Sequence, residues 1–252
     1  MSEPVLELRH VQKFFGSVSA LVDMSLTAFP GEMHAIVGDN GAGKSTAIKI
    51  ITGIHNADEG EVHFLGEPLP QRRSASHLTD HGIAVVYQDL ALVECLDIAT
   101  NLSLGRLPKR FGILDRKRMR REASTVLADL KVRVTDVSTP VGLLSGGQRQ
   151  IIAIARAVRL DKPLMLLDEP TAALGVQETA HVGEIIDELK PKGKAIVCVS
   201  HDIDFVFQRA DRITVLRLGR TVGTRRVTDT TRSEIIGMIT GAIGPDTDGA
   251  PA

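Results

Sequence analysis

A glycine-rich segment between a short apolar run and a helical pattern most constrains how this chain can fold. Met33 to Val37 is apolar and predicts a strand, and from Lys44 to Ile54 apolar residues recur at helical spacing. The segment between them has the form G-x-x-x-x-G-K-S and consists of Gly38, Asp39, Asn40, Gly41, Ala42, Gly43, Lys44 and Ser45, followed by Thr46. A strand, a glycine loop and a helix in this order are typical of an α/β fold.

The same segment has the composition of a phosphate-binding loop. Its glycines let backbone N–H groups turn inward around phosphates, and the following helix presents its positive N-terminal end to the anion. Lys44 is expected to reach the terminal phosphates of a nucleotide, and Ser45 offers an oxygen to Mg²⁺. A tight turn without a ligand is the alternative, but the complete motif between a strand and a helix favours nucleotide binding.

A second group of polar residues follows the apolar run from Leu164 to Leu167, which is typical of a parallel strand buried on both faces. Asp168 would leave this strand at its C-terminal end, where it could hold Mg²⁺ through the water shell of the ion. Glu169 could polarise or deprotonate an attacking water molecule. An Asp-Glu pair alone would favour a helix N-cap region. Together with the phosphate loop, it favours hydrolysis.

The third motif is Leu144-Ser145-Gly146-Gly147-Gln148-Arg149-Gln150. In isolation it predicts a helix start capped by Ser145, with a second anion site at the helix N-terminus. The string resembles the signature motif of the ABC ATPase family. The resemblance implies that Ser145, Gly146, Gly147 and Gln148 face the γ-phosphate held by a partner cassette. Two ATP molecules would then be sandwiched in a head-to-tail dimer, with a second copy of this chain or with a related cassette.

Three further positions match the family in order. Gln88, after the predicted strand Ile83–Tyr87, resembles the Q-loop glutamine, which touches Mg²⁺ or water and senses the membrane partner. His201 resembles the switch histidine at the γ-phosphate, and Phe15 resembles the aromatic that stacks on adenine. Taken singly, they would be a surface glutamine, a structural histidine and a core phenylalanine. The implied catalytic residues are Lys44, Gln88, Glu169 and His201, and the implied metal site comprises Ser45, Gln88 and Asp168.

Finer features are similar to the simple-sugar importers, the ribose, xylose and fructose class. They are the string from Asp168 to Gly175, Asn40 in the loop, the stretches Ala210–Ile213 and Arg217–Arg220, and the ending Met238–Ala242. Many members of that class fuse two cassettes, and a single cassette resembles the fructose-type members. Gly175 stands where many ABC proteins have Asp, which leaves open how the two cassettes of a dimer communicate.

The expected fold is α/β: a P-loop NTPase core with a parallel sheet, an N-terminal antiparallel β subdomain and an inserted α-helical subdomain at about 89–160. Residues 1–243 would form the ABC ATPase domain. The polar, breaker-rich tail 244–252 is expected to be disordered. Val5 to Leu8 alternates and predicts an edge strand.

Composition limits the partners. The formal net charge of -1 and the 3% aromatic content lead us to expect no nucleic-acid partner. The basic cluster from Arg116 to Arg121 is interpreted as a solvated helix face, because Glu122 and Asp129 interrupt it and no aromatics accompany it.

No apolar run approaches the roughly 20 residues that span a bilayer. Cys95 and Cys198 are expected to be reduced thiols.

The resemblance therefore implies an ATPase, with ATP and Mg²⁺, that powers uptake of a monosaccharide. It would sit peripherally on the cytoplasmic face of the inner membrane and act through separate integral membrane permease subunits. A periplasmic or extracellular sugar-binding protein would be an indirect partner. The alternatives are a subunit of another ABC import or export system, a soluble ABC ATPase acting on ribosomes or DNA, and a regulatory cassette without hydrolysis.

Overall fold

The computed structural model describes residues 3–69, 82–132, 134 and 136–246. Its strands are β1 (Leu6–Phe15), β2 (Val18–Ala28), β3 (Met33–Val37), β4 (Glu59–Phe64), β5 (Glu67–Pro68), β6 (Ile83–Val86), β7 (Lys109–Arg110), β8 (Ile113–Leu114), β9 (Leu164–Asp168), β10 (Ala195–Val199), β11 (Arg212–Arg217) and β12 (Arg220–Arg226). Its α-helices are α1 (Lys44–Ile51), α2 (Ile98–Ser103), α3 (Arg116–Asp129), α4 (Gly146–Arg159), α5 (Val176–Leu189), α6 (Ile203–Arg209) and α7 (Arg232–Thr240).

A mixed sheet organises the molecule, with strand order β5-β4-β1-β2-β12-β11-β3-β10-β9-β6. The strands β11, β3, β10, β9 and β6 run parallel to one another, whereas β11 pairs antiparallel with β12 on its other side. Every residue of β3, β9 and β10 is buried, as expected where helices cover both faces of a parallel sheet. The predicted α/β core with a parallel sheet is confirmed.

The N-terminal part of the sheet is antiparallel and is built from β1, β2, β4 and β5. Here the prediction of an edge strand at Val5 to Leu8 is wrong. The strand β1 lies between β2 and β4, with Leu6 opposite both Ala28 and Phe64, and β5 forms the edge. Alternation indicates only that one face of a strand is buried. It could not reveal that β4 would pair with the second edge of β1.

The range predicted for the helical insert contains α2, α3, α4 and a short hairpin of β7 and β8. Met119, Ala123 and Leu127 form the buried face of α3 and join the hydrophobic core that also contains Ile152 of α4 and Met165 of β9. The insert therefore packs onto the sheet through one continuous core. Among the described residues, no helix is long and apolar enough to cross a membrane.

The C-terminal residues are described as far as Asp246. Its backbone N–H donates to the Val222 carbonyl (2.9 Å), and its carboxylate accepts two hydrogen bonds from Arg225. These contacts place the beginning of the tail against β12. The expectation of a disordered tail also covers 247–252, which lie outside the described residues.

His34 is a buried polar residue of β3. One ring nitrogen lies 2.9 Å from the Thr27 carbonyl and the other 2.7 Å from the Thr214 hydroxyl. Burial, opposed by the bond to Thr27, lowers the pKa of His34 to about 4. The ring is therefore neutral in the folded protein at neutral pH, and it joins β3 to β11 and to the end of β2.

This burial predicts a pH-dependent stability. His34 has a pKa of about 4 in the folded protein and its ordinary value of about 6.5 in the unfolded chain. As the pH is lowered, the unfolded chain therefore binds a proton at this residue before the folded protein does. The neutral His34 therefore contributes on the order of 3 kcal/mol to the free energy of unfolding. This stabilisation is fully present above pH 6.5 and is lost as the pH falls from 6.5 to 4.

Denaturant unfolding at pH 7 and pH 5 measures the effect. Wild type should lose about 2 kcal/mol more between these values than His34→Asn, whatever the stability of the variant at pH 7. His10→Asn, at an exposed position, is the matched control and should keep the wild-type slope. An unchanged slope in His34→Asn would show that this histidine does not titrate as proposed.

Candidate functional site

One cleft of about 440 Å³ lies at the C-terminal ends of the parallel strands. The alignment of the strands explains why polar residues gather there. Val199 at the end of β10 is in register with Ile36 of β3 and with Asp168 of β9. The cleft is lined by Val18, Ser19, Ala20, Asn40, Gly41, Gly43, Lys44, Ser45, Thr46, Gln88, Asp168, Glu169, Ala172, Val199 and His201.

The glycine loop is packed too closely for side chains at two positions. A Cβ at Gly43 would lie 2.6 Å from Leu21 Cδ2 and 2.7 Å from the Ala20 oxygen, and Gly43 has a φ of 107°. A Cβ at Gly38 would overlap the carbonyl oxygen of Leu216. The two glycines therefore let the loop lie against β2 and β11 while its backbone faces the cleft.

Lys44 is the first residue of α1, and its side chain folds back over the loop. Its Nζ donates to the carbonyl oxygens of Gly38 (2.6 Å) and Asp39 (2.9 Å). No side chain caps the N-terminus of α1, where Gly43 occupies the cap position. The first N–H groups of α1 and the ammonium of Lys44 together form a positive site suited to phosphate oxygens.

Asp168 and Glu169 face this positive site from the end of β9. Burial raises the pKa of Asp168, the charge of Glu169 raises it further, and Lys44 and Lys49 oppose both effects. Glu169 has a φ of 51°, which non-glycine residues rarely adopt, and its N–H donates to the Val199 carbonyl at 2.9 Å. The turn after β9 thus holds Glu169 in a strained conformation against β10.

Glu169 and His201 form a pair in the cleft. The His201 Nδ1 lies 2.7 Å from Glu169 Oε2, and the Glu169 side chain is mostly buried whereas that of His201 is 70% exposed. The two residues are 32 positions apart, and the motifs predicted both but not their contact. An ionised carboxylate accepts from an imidazole N–H, so Nδ1 carries the proton in this pair.

Gln88 lines the same cleft, whereas Phe15 does not. The Phe15 ring packs edge-on against His55, with centroids 5.1 Å apart, and the Lys13 ammonium lies 5.4 Å from its centre. Val18, Ser19 and Ala20 of β2 form the cleft wall instead. The structure therefore brings together the predicted phosphate, carboxylate, glutamine and histidine positions, but it leaves the predicted adenine-stacking residue outside the lining.

The segment Ser145–Gln148 also lies outside this cleft. Ser145 caps α4 in a capping box: the Gln148 N–H donates to Ser145 Oγ (3.2 Å), and the Ser145 N–H donates to Gln148 Oε1 (3.0 Å). The predicted capped helix start is confirmed. Within one chain, the phosphate loop and this second helix N-terminus do not contribute to the same pocket.

Glu178 is a residue that the motifs did not identify. It lies in the first turn of α5, and its side chain packs between Gly147 and Gly175. A Cβ at Gly147 would lie 2.6 Å from Glu178 Cγ, and a Cβ at Gly175 would lie 2.6 Å from Glu178 Oε2. Its spacing of three residues after Gly175, the N-cap of α5, is the one clue that the sequence offered. The unusual Gly175 thus leaves room for the Glu178 carboxylate.

Comparison with known proteins gives consistent matches. The family model described as ABC transporter matches residues 21–172. The Fructose import ATP-binding protein FrcA of Rhizobium meliloti is 42% identical over 251 residues, which cover 96% of each chain. The Ribose import ATP-binding protein RbsA of Chromobacterium violaceum is 42% identical over 93% of this chain, which spans about half (46%) of that relative.

Solved structures match the fold over nearly the whole chain. A nucleotide-free ATP-binding cassette from an ABC transporter has a TM-score of 0.81 and 26% identity, with coverage of 95% of this chain and 96% of that one. The ATP-binding cassette MJ0796, solved as a dimer in a post-hydrolysis state bound to ADP and Pi, has a TM-score of 0.78 and 28% identity. That match covers 88% of this chain and 98% of MJ0796.

The packing of Glu178 predicts an unusual response to Gly175→Asp. An aspartate at a helix N-cap normally stabilises the helix. Here its carboxylate would lie beside that of Glu178, and like charges at this helical spacing repel each other. Gly175→Asp should therefore lower the free energy of unfolding by about 1 kcal/mol. In a Glu178→Gln background the same change should be neutral or stabilising.

A double-mutant cycle by denaturant unfolding, with ATPase rates in parallel, measures this coupling. Gly175→Ala is the matched control, because it adds the Cβ without the charge. Equal effects of Gly175→Asp in both backgrounds would remove Glu178 as the cause.

Proposed function

The chain belongs to the ABC transporter family, and we propose that it is the ATP-hydrolysing subunit of an importer for a simple sugar. The observation that carries the proposal is its 42% identity to a fructose import ATP-binding protein, with 96% of each chain aligned. Two ribose import relatives match 93% and 95% of this chain at 42% and 43% identity. The sugar itself would pass through separate permease subunits and would not touch this chain.

ATP would bind with its phosphates in the glycine loop, from Gly38 to Thr46. The N–H groups of the loop and of the start of α1 would surround the β- and γ-phosphates. Lys44 would exchange its bonds to the Gly38 and Asp39 carbonyls for bonds to phosphate oxygens. The loop carbonyls therefore hold the ammonium near its working position before ATP binds.

The oxygen-bearing side chains of Ser45, Asp168 and Gln88 line one cleft and would hold Mg²⁺, which prefers oxygen ligands. Asp168 suits the ion, because a cation nearby offsets the burial and the Glu169 charge that raise its pKa. When bound, Mg²⁺ would neutralise charge that develops on the phosphate oxygens.

Glu169 and His201 would carry out the hydrolytic step. Glu169 would accept a hydrogen bond from the water that attacks the γ-phosphorus and would orient it in line with the leaving oxygen. His201 already donates from Nδ1 to Glu169, which fixes both side chains. To donate a second bond from Nε2 to a phosphate oxygen, the ring must also be protonated at that nitrogen.

A second cassette would complete the site. The capped N-terminus of α4, with Ser145, Gly146, Gly147 and Gln148, does not reach the cleft of its own chain. In a head-to-tail dimer it would contact the γ-phosphate bound by the partner, which is the arrangement that the family resemblance implies. The partner is proposed to be a second copy of this chain.

The membrane partners follow from the same proposal. Closure of the two cassettes around ATP would move permease subunits that dock near Gln88 and the helical insert. The chain would therefore work peripherally on the cytoplasmic face of the inner membrane, and a periplasmic or extracellular sugar-binding protein would deliver the sugar. A subunit of another ABC import or export system is the second candidate, and membrane companions separate the two.

Glu169→Gln tests the hydrolytic assignment. The amide cannot act as a base, so kcat for ATP hydrolysis should fall by at least about 100-fold. ATP-dependent dimers should persist, because the phosphate contacts remain. The measurements are steady-state phosphate release and size-exclusion chromatography with ATP. Glu184→Gln, at an exposed position of α5, is the matched control with normal turnover. Normal hydrolysis by Glu169→Gln would contradict the role.

Deletion of the chain tests the importer. Growth should be impaired on one or a few monosaccharides, and it should return with the wild-type chain but not with Glu169→Gln. Affinity purification from membranes should recover polytopic permease subunits. Recovery of ribosomal proteins, with normal growth and uptake on every sugar, would overturn the importer and favour a soluble ABC ATPase.

A further inference from the structure

A short hairpin in the helical insert presents apolar side chains to solvent. The strands β7 and β8 pair around Phe111 and Gly112, whose φ values of 53° and 80° are those of a tight two-residue turn. Phe111 is 92% exposed and Ile113 is 76% exposed. The turn therefore directs a large aromatic side chain away from the protein, although such groups are usually at least half buried.

Basic residues surround this tip. Between Arg106 and Arg121 the chain has eight basic residues and one acidic residue, although its formal net charge is -1. The acidic residue, Asp115, is the N-cap of α3, and Arg118 is paired with Glu122. Among the described residues, no carboxylate forms an ion pair with the remaining seven, which are Arg106, Lys109, Arg110, Arg116, Lys117, Arg120 and Arg121.

The hairpin and the start of α3 form one surface. The Asp115 N–H donates to the Pro108 carbonyl (2.9 Å), which ties the base of the hairpin to the helix N-terminus. Met119 and Ala123 face the core, so Lys117 and Arg121 lie on the opposite, exposed side of α3. The first six residues of α3 extend about 8 Å, which keeps their charges close to the tip. We call residues 106–121 the hairpin surface.

We propose that the hairpin surface binds anionic phospholipid headgroups at a membrane surface. Clustered Lys and Arg side chains are attracted to anionic lipids. An exposed phenylalanine is stabilised when it inserts at the boundary between headgroups and acyl chains. From the sequence alone, Arg116 to Arg121 is interpreted as a solvated helix face, because Glu122 and Asp129 interrupt the cluster and no aromatics accompany it. In the structure, Phe111 lies at the tip of the hairpin that leads directly into that helix, with the Arg110 guanidinium 5.5 Å from its ring.

A nucleic acid suits the hairpin surface less well. Binding of single strands relies on several aromatic side chains on which successive bases stack. Phe111 is the one aromatic residue between 106 and 121, and its exposed neighbours Leu107 and Ile113 are aliphatic. Aliphatic side chains beside cations suit a lipid interface. The proposal does not depend on the sugar, the permease or ATP hydrolysis.

Co-sedimentation of the purified chain with vesicles tests the proposal. Binding should be stronger to phosphatidylcholine vesicles that contain phosphatidylglycerol than to phosphatidylcholine alone, and it should weaken as salt is added. The double variant Lys109→Glu, Arg110→Glu should reduce the partition coefficient by at least about 25-fold, or about fivefold for each basic residue. Phe111→Ser should reduce it by about tenfold.

Matched variants separate this surface from general charge and hydrophobicity. Lys192→Glu, Arg226→Glu makes the same charge change at exposed positions outside the insert, and Ile236→Ser removes an exposed aliphatic side chain from α7. Both controls should bind vesicles as the wild type does. Each hairpin variant should keep the basal ATPase rate in lipid-free solution, which confirms that it is folded.

Two results would overturn the proposal. One is equal binding to vesicles with and without phosphatidylglycerol. The other is wild-type binding by the hairpin variants. A parallel assay with single-stranded DNA decides the remaining alternative. Loss of DNA binding in the hairpin variants, with vesicle binding unchanged, would assign the surface to a nucleic acid. These outcomes are independent of the growth phenotype that tests the importer.

Discussion

The register of three buried parallel strands is the constraint on which the candidate site depends. The end of β10 lies between the ends of β3 and β9, with Val199 opposite Ile36 and Asp168. The glycine loop, the Asp168-Glu169 pair and His201 follow these three strands, so they meet at one edge of the sheet. A slip of one residue in either pairing would shift every side chain of the slipped strand to the opposite face of the sheet, and it would displace the carboxylates from the loop.

The same edge concentrates opposite charges in a poorly solvated place. Asp168 is largely buried beside Glu169, and Lys44 offsets part of the cost from the other side of the cleft. Cys198, beneath them in β10, is fully buried. Its burial and the two carboxylates raise the pKa of its thiol, so it remains protonated. A strand end with this much negative charge is suited to a cation that is bound together with a polyphosphate.

Much of the core could be predicted from the sequence, because its local patterns agree with the tertiary structure. The strands β3 and β9 and the start of the helix α4 lie at the predicted residues, since apolar runs and a Ser-Gly-Gly cap leave little choice. No capping side chain marks the start of α5 at Val176 in the sequence, because its N-cap is Gly175. The hairpin of β7 and β8 was not predicted, since its strands have only two residues each.

The sequence by itself determined which chemical groups this protein has and the short-range geometry that they require. It placed the glycine loop between a strand and a helix, two carboxylates after a buried strand, and a capped helix start at Ser145, because each feature depends on neighbours within a few residues. Only the tertiary structure decided that Glu169 contacts His201 and that Phe15 and Ser145 lie outside the cleft. It also decided that Phe111 is exposed at the tip of a hairpin beside a basic helix. Those contacts depend on strand register and on the packing of the insert, which no local pattern records.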